Sequence, residues 1–228
     1  MKKDKFFLAM GVIMAGVVLV GFTPSFILRP WFRETPLPFI FLVHGLFMLA
    51  WYAAFVHQAY LAAAARLLNH RRNGRIWLVL AAGIVLSSLG VFWQLIGDYR
   101  LGERTLEGTS MLIIGNTVLL ATIIAFLTVG YSFRNRPAIH KRAMYAASVT
   151  MLVPAFDRFG RLLGMEQLVA VFLTPVLFYG PLIAYDVVKD RWPHLISVLA
   201  LVWGYVHMIF GLFLIRSGAG EAIVQWLQ

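Results

Sequence analysis

The chain has 228 residues, of which 61% are hydrophobic and only 13% charged, and its mean hydropathy is +0.79. Soluble domains carry about 25% charged residues, so this composition excludes an ordinary soluble enzyme, a disordered chain and a nucleic-acid-binding module. The net charge of +10 is typical of a membrane protein that collects Lys and Arg in cytoplasmic loops, and we expect no nucleic-acid partner. The absence of cysteine excludes disulfides, thiolate metal sites and iron–sulfur clusters.

Seven segments approach or exceed the roughly 20 apolar residues that a membrane-spanning helix needs. They cover residues 6–28, 37–65, 76–97, 110–133, 143–159, 168–188 and 195–215. The predicted fold is therefore all-α, a polytopic bundle of seven transmembrane helices in one domain, 1–228. The longest predicted connections are 66–75 and 98–109, and residues 221–228 are expected to form a short amphipathic helix on the outer surface.

The distribution of basic residues predicts the orientation of the bundle. A cytoplasmic N-terminus places 13 of the 20 Lys and Arg residues on the inner side, including all five lysines. The first segment follows Lys2, Lys3 and Lys5 as a signal peptide would, but it is longer than a signal peptide's apolar region and no cleavage site follows, so we expect a retained helix. The predicted location is the bacterial cytoplasmic (inner) membrane, with lipids and a second membrane protein as candidate partners.

Ionisable residues within spans are costly and are therefore candidates for function. Two spans each carry histidines 13 residues apart, His44 and His57 in the second, His194 and His207 in the seventh. This pattern resembles the membrane cytochromes b, whose helices hold two haems between histidine pairs, and the resemblance implies a haem between these spans. Thirteen residues leave two side chains about 140° apart around a helix, which favours one site at one level over two stacked haems.

The outer level is the better candidate for a single site. His44 and His207 are the predicted ligands of haem b or a transition-metal ion, with His57 as a further candidate metal ligand. Asp157 and Arg158 lie at a similar depth and would support the ligands or neutralise haem propionates. The alternatives for His44 and His207 are a structural hydrogen bond between helices or proton handling, and the alternative for His57 is a structural hydrogen bond.

The fifth segment is short for a span and is interrupted by Pro154. We expect Asp157 and Arg158 at its end to be drawn below the membrane surface, with Asp157 paired to Arg161 or Arg158. The prolines of the sixth segment, Pro175 and Pro181, predict a kink or local unwinding. Nearer the inner surface, solvated or interfacial positions are expected for Asp186, His70, His140 and His194.

Three features together resemble a group of uncharacterised bacterial multi-span membrane proteins. They are His44 in a helix followed by the His70-Arg71-Arg72 run, the His140-Lys141-Arg142-Ala143-Met144 motif, and Asp157-Arg158. The resemblance covers about residues 40–160 and implies an intramembrane polar site without specifying its chemistry.

Three functional hypotheses follow from the sequence. The first is a redox or metal-dependent membrane protein that holds haem b or a metal ion near the outer face. The second is a proton-coupled small-solute transporter or a sensor that uses the prolines as hinges. The third is a non-catalytic membrane subunit or assembly factor.

Overall fold

The structure is a computed structural model that describes residues 4–227, and this range forms nine α-helices and one π-helical turn. The helices are α1 (Phe6–Phe22), α2 (Arg29–Phe32), α3 (Phe39–Ala63), α4 (Leu67–Arg100), α5 (Leu106–Ser132), α6 (Pro137–Leu162), α7 (Gln167–Asp190), α8 (Leu195–Arg216) and α9 (Ala219–Trp226). The π-helical turn, Thr23–Ile27, continues α1.

Six of these helices are long and apolar enough to cross a membrane, as in a multi-pass membrane protein. They are α1 with its π-helical turn, α3, α4, α5, α7 and α8. Their outward faces carry large exposed apolar side chains such as Val79, Leu86 and Phe213. In water such surfaces would be unfavourable, whereas acyl chains solvate them.

Helix α6 is not among the six, because its composition is less apolar, yet it is the most enclosed helix of the bundle. Fifteen of its 26 residues are buried, and it packs against α1, α5, α7 and α8. Small residues, including Ala146 and Ala147, allow these neighbours to approach closely. A helix that is surrounded by protein can carry Ser, Thr and charged side chains that a lipid-facing helix cannot.

The loops are shorter than predicted. The expected connection 66–75 is wrong, because α4 already begins at Leu67. Leucine and arginine favour helix, and this stretch contains no proline to stop it. At its far end α4 continues to Arg100, and Gly102, with φ +75°, reverses the chain before α5.

The proline-containing helices remain continuous. Pro154 lies inside α6, and Pro175 and Pro181 lie inside α7. The local unwinding predicted for the sixth segment is therefore not observed.

The helices alternate in direction, so the bundle has two ends. One end, here called the Asp4 end, brings Asp4 and Lys141 together with Lys189. The other, the Asp157 end, carries α2 and α9. The predicted C-terminal helix is confirmed as α9, which packs on α5.

Candidate functional site

A cavity of about 70 Å³ lies between α3, α4, α5 and α6. It has room for about two water molecules at roughly 30 Å³ each, which suits a single ion much better than a porphyrin. The polar and sulfur-containing residues of its lining are His44, Met48, Ser88, Asn116, Thr150 and Met151.

The tautomer of His44 follows from its hydrogen bonds. The Ser87 hydroxyl donates its proton to the carbonyl of Ile84, at 3.1 Å. We assign to His44 the tautomer that agrees with this bond, in which Ser87 Oγ accepts from His44 Nδ1, 3.0 Å away. The second nitrogen of His44, Nε2, then carries a lone pair, and it has no hydrogen-bond partner within residues 4–227.

The other polar side chains of the cavity donate hydrogen bonds to backbone carbonyls of their own helices. The hydroxyls of Ser88 and Thr150 donate to the carbonyls of Ile84 and Ala146, at 2.7 and 3.0 Å. Asn116 Nδ2 likewise donates to the carbonyl one turn earlier, at 2.7 Å. The oxygens of these three side chains are therefore left as acceptors, and Asn116 keeps one further N–H donor.

Two thioethers complete the lining. Met48 follows His44 by one turn of α3, and Met151 lies on α6, where it is buried. The thioether sulfur is a soft donor without a proton. Imidazole nitrogen, hydroxyl and amide oxygens and thioether sulfurs together make this cavity rich in lone pairs.

His207 lies in different surroundings. It is 4% exposed, its Nδ1 donates to the carbonyl of Trp203 at 2.7 Å, and its Nε2 is buried and has no hydrogen-bond partner among the described residues, 4–227. Its helix, α8, packs on α5, α6 and α7, whereas α3, which carries His44, packs on α1 and α4. His207 is not part of the lining of the His44 cavity.

Asp157 and Arg158 are held at the end of α6. Asp157 is 7% exposed and is paired with Arg161 at 2.5 Å, which confirms one of the two predicted pairings. Arg158 donates to the carbonyl of Pro154 at 2.8 Å and lies over the ring of Phe22. The His44 cavity extends to Pro154 and stops short of both charged residues.

His57 borders a separate groove of about 210 Å³ between α3 and α4. Asn73 Nδ2 lies 3.3 Å from His57 Nε2, and Trp77 forms another part of the wall. The three histidines predicted as metal ligands thus occupy three different environments, and only His44 borders the lone-pair-rich cavity.

The strongest polar contact of the bundle escaped the sequence analysis. Asp186, predicted to be interfacial, is fully buried and accepts from the guanidinium of Arg142, which is 2% exposed. The hydroxyl of Ser197 and the backbone N–H of His194 also donate to Asp186, at 2.5 and 3.1 Å. The sequence does contain an indication of this ion pair, because Arg142 and Asp186 carry opposite charges and lie at a similar predicted depth in the membrane.

A second network at the same end attaches the start of α1. The carboxylate of Asp4 accepts from Tyr185 and from Lys189, the latter at 2.8 Å, and Lys141 lies 3.5 Å away. Partial burial by itself would raise the pKa of Asp4, but these hydrogen bonds and the two ammonium charges outweigh it and lower the pKa to about 2.

The Asp4 network predicts a pH-dependent contribution to stability. Because the pKa of Asp4 is lower in the folded protein than its ordinary value of 3.8, its contribution is complete above that value and is lost as the pH falls towards 2. Asp4→Asn should cost under about 1 kcal/mol because the site is partly exposed. Melting temperatures of the wild type and Asp4→Asn in detergent should differ by a constant amount above pH 4 and converge near pH 2. A difference that persists unchanged at pH 2 would contradict this assignment.

The remaining histidines lie at the Asp4 end. His70 and His140 are half-buried, and their rings contact each other. His194 caps α8, where its Nδ1 accepts from the backbone N–H of Ile196 at 3.2 Å. Burial and the nearby charge of Arg142 lower the pKa of His194. These positions are consistent with the solvated or interfacial setting predicted for the three histidines. The sequence did not predict the contact between His70 and His140.

Comparisons of the chain with protein-family models, with curated proteins and with solved structures found no match. The functional assignment therefore depends on the geometry of the side chains.

Proposed function

We propose that the chain is a seven-span protein of the bacterial cytoplasmic membrane, with a cytoplasmic N-terminus, that binds a transition-metal ion in the His44 cavity for a redox or metal-dependent role. The seventh span is α6. Its 26 residues extend over about 39 Å, which exceeds a hydrocarbon core of about 30 Å. Its low hydropathy is explained by its position among the other helices.

One observation carries the metal-binding proposal. The hydroxyls of Ser88 and Thr150 use their protons within their own helices, and in the tautomer assigned above His44 donates its Nδ1 proton to Ser87. Apart from the second amide N–H of Asn116, the polar groups of the cavity thus offer lone pairs and not protons to a ligand. An imidazole whose Nδ1–H is held by a hydrogen bond is the usual arrangement in metal sites, because the bond orients the ring and raises its basicity.

The donor set favours copper(I) over a divalent ion. Thioether and imidazole are ligands that soft metals accept, and Met48, Met151 and His44 supply both kinds. Within residues 4–227, no carboxylate contributes to the lining. Burying a divalent cation among neutral ligands costs more than burying a monovalent one, because the cost of desolvation rises steeply with charge.

The residues of the His44 cavity would have different roles in binding copper. His44 Nε2 would be the strongest donor, Ser87 would hold its ring in place, and the two sulfurs would complete the coordination. Copper bound there would supply a one-electron couple within the membrane. The apolar remainder of the lining, including Ile84 and Phe92, would restrict water.

The test is copper(I) loading of detergent-purified, tag-free protein under anaerobic conditions, with a chromophoric chelator as competitor. We expect one copper(I) per wild-type chain and none in His44→Ala. Met48→Leu and Met151→Leu should each weaken binding by more than about tenfold, because even outer-shell substitutions at metal sites cost 10–100-fold. X-ray absorption should show both nitrogen and sulfur neighbours.

Met14→Leu is the matched control, because Met14 is fully buried in α1 and does not border the cavity. It should bind copper(I) like the wild type. The proposal is wrong if the wild type binds no copper(I), or if His44→Ala retains it while keeping a wild-type melting temperature.

A further inference from the structure

The structure brings together two histidines that the sequence separates by 70 residues. His70 lies in the first turn of α4 and His140 in the first turn of α6, both at the Asp4 end. Their ring centroids are 6.2 Å apart, and the ring planes are nearly perpendicular, at 85°. Both side chains are half-buried, so they can be reached from water.

The protonation of both rings is set by the backbone. His70 Nδ1 lies 3.3 Å from the carbonyl oxygen of Gln58, and His140 Nδ1 lies 2.8 Å from that of Gly130. A carbonyl oxygen only accepts, so in each ring the proton must be on Nδ1. Each neutral ring therefore carries its lone pair on Nε2, and neither Nε2 has a hydrogen-bond partner within residues 4–227.

The separation of the rings fits two ligands of one ion. A metal–nitrogen bond of about 2.1 Å and about 1.1 Å from nitrogen to ring centre place two ligating rings at most about 6.4 Å apart. The observed 6.2 Å is just below this limit, so the two nitrogens would bind from nearly opposite sides of the ion. The hydrogen bonds from Nδ1 to backbone carbonyls supply the support that metal-binding imidazoles usually have.

We infer that His70 and His140 form a second metal site, which binds a divalent late transition-metal ion such as Ni²⁺ through their Nε2 atoms and completes its coordination with water. The site is separate from the His44 cavity in position, in donor type and in the class of metal it takes. An ion bound there would link the start of α4 to the start of α6.

The charges around this pair are positive, and they give the site a recognisable salt dependence. Arg71 follows His70, and Lys141 follows His140. Their repulsion weakens the binding of a cation, and added salt screens it, because the screening length falls from about 10 Å at 0.1 M to about 3 Å at 1 M. Affinity at this site should therefore rise with ionic strength, whereas binding to surface carboxylates should fall.

The experiment is isothermal titration of tag-free, detergent-purified full-length protein with Ni²⁺, checked by elemental analysis after desalting. We expect one Ni²⁺ per wild-type chain and affinity that increases between 0.05 and 0.5 M NaCl. His70→Gln and His140→Gln should each lower the affinity by more than about tenfold. Both positions are half-buried at helix starts, and unchanged melting temperatures without metal would show that both variants fold.

His194→Gln is the matched control. His194 lies at the same end of the bundle, but its Nδ1 is already engaged by the N–H of Ile196. It should bind Ni²⁺ like the wild type. His44→Ala should also bind Ni²⁺ normally, so a failure of the copper test would be distinguishable from a failure of this one. No binding by the wild type, equal loss in His194→Gln, or retention of Ni²⁺ in the double variant His70→Gln/His140→Gln would each overturn the inference.

Discussion

Replacing Asp186 with alanine is expected to lower the free energy of unfolding by about 3–5 kcal/mol, the usual cost of removing one partner from a buried ion pair. The guanidinium of Arg142 would stay 2% exposed without its main carboxylate. The donors on Ser197 and the backbone of His194 would lose their acceptor as well. Unfolding in detergent, followed by circular dichroism against increasing denaturant, measures the loss.

Asp190→Ala is the control for this prediction. Asp190 lies 3.5 Å from the same guanidinium, but its side chain is 55% exposed. Exposed ion pairs contribute at most about 1 kcal/mol, so this variant should be close to the wild type. The double variant Arg142→Met/Asp186→Leu should recover much of the loss, because it leaves no unpaired charge. Equal losses in the two single alanine variants would refute the assigned role of Asp186.

Gly21→Ala should lower the free energy of unfolding by about 1–3 kcal/mol, the cost of overpacking a tight contact. Gly21 lies where α1 meets α6, and a Cβ atom there would lie 2.4 Å from the carbonyl oxygen of Ala155. That oxygen belongs to the backbone of the most enclosed helix, so it cannot move aside without displacing α6. The same unfolding assay applies.

Gly16→Ala in the same helix provides the comparison. Gly16 is exposed, and no atom lies within 4 Å of the position its Cβ would take. The substitution should be neutral or stabilise by up to about 1 kcal/mol through helix propensity. If Gly16→Ala destabilised the protein as much as Gly21→Ala, the close approach of α1 and α6 would not be the cause.

Local patterns in the sequence were sufficient to predict the apolar helices and to narrow the partner of Asp157 to two arginines. Long apolar runs predicted the six lipid-compatible helices, because transfer into a membrane depends on the summed apolar character of a segment. Arg161 was one of two predicted partners of Asp157, because it lies four residues further along the same helix, and the structure shows this pair. The end of the predicted loop at Arg75 was wrong, because charged residues end an apolar run without ending a helix.

The sites were accessible to sequence reasoning only in part. His44 could be singled out because an imidazole within a span is costly, but depth alone predicts His207 as its partner, and His207 is not part of the lining of the His44 cavity. Depth gives the position of a residue along the membrane normal and says nothing about which helices are neighbours. Two features could not be predicted, because they arise from contacts between distant segments. They are the position of the Met151 sulfur in the His44 cavity and the carbonyl oxygens that orient His70 and His140.

By itself the sequence determined that the chain is helical and suited to a membrane, and where most of its helices begin and end. Tertiary structure alone decided that α6 is enclosed, that Arg142 meets Asp186, and that His70 meets His140 while His44 and His207 lie in different surroundings. The reason is that helix formation and membrane transfer are sums over neighbouring residues. Which helices pack together instead depends on close contacts at small residues such as Gly21, and these contacts join helices that are far apart in the sequence.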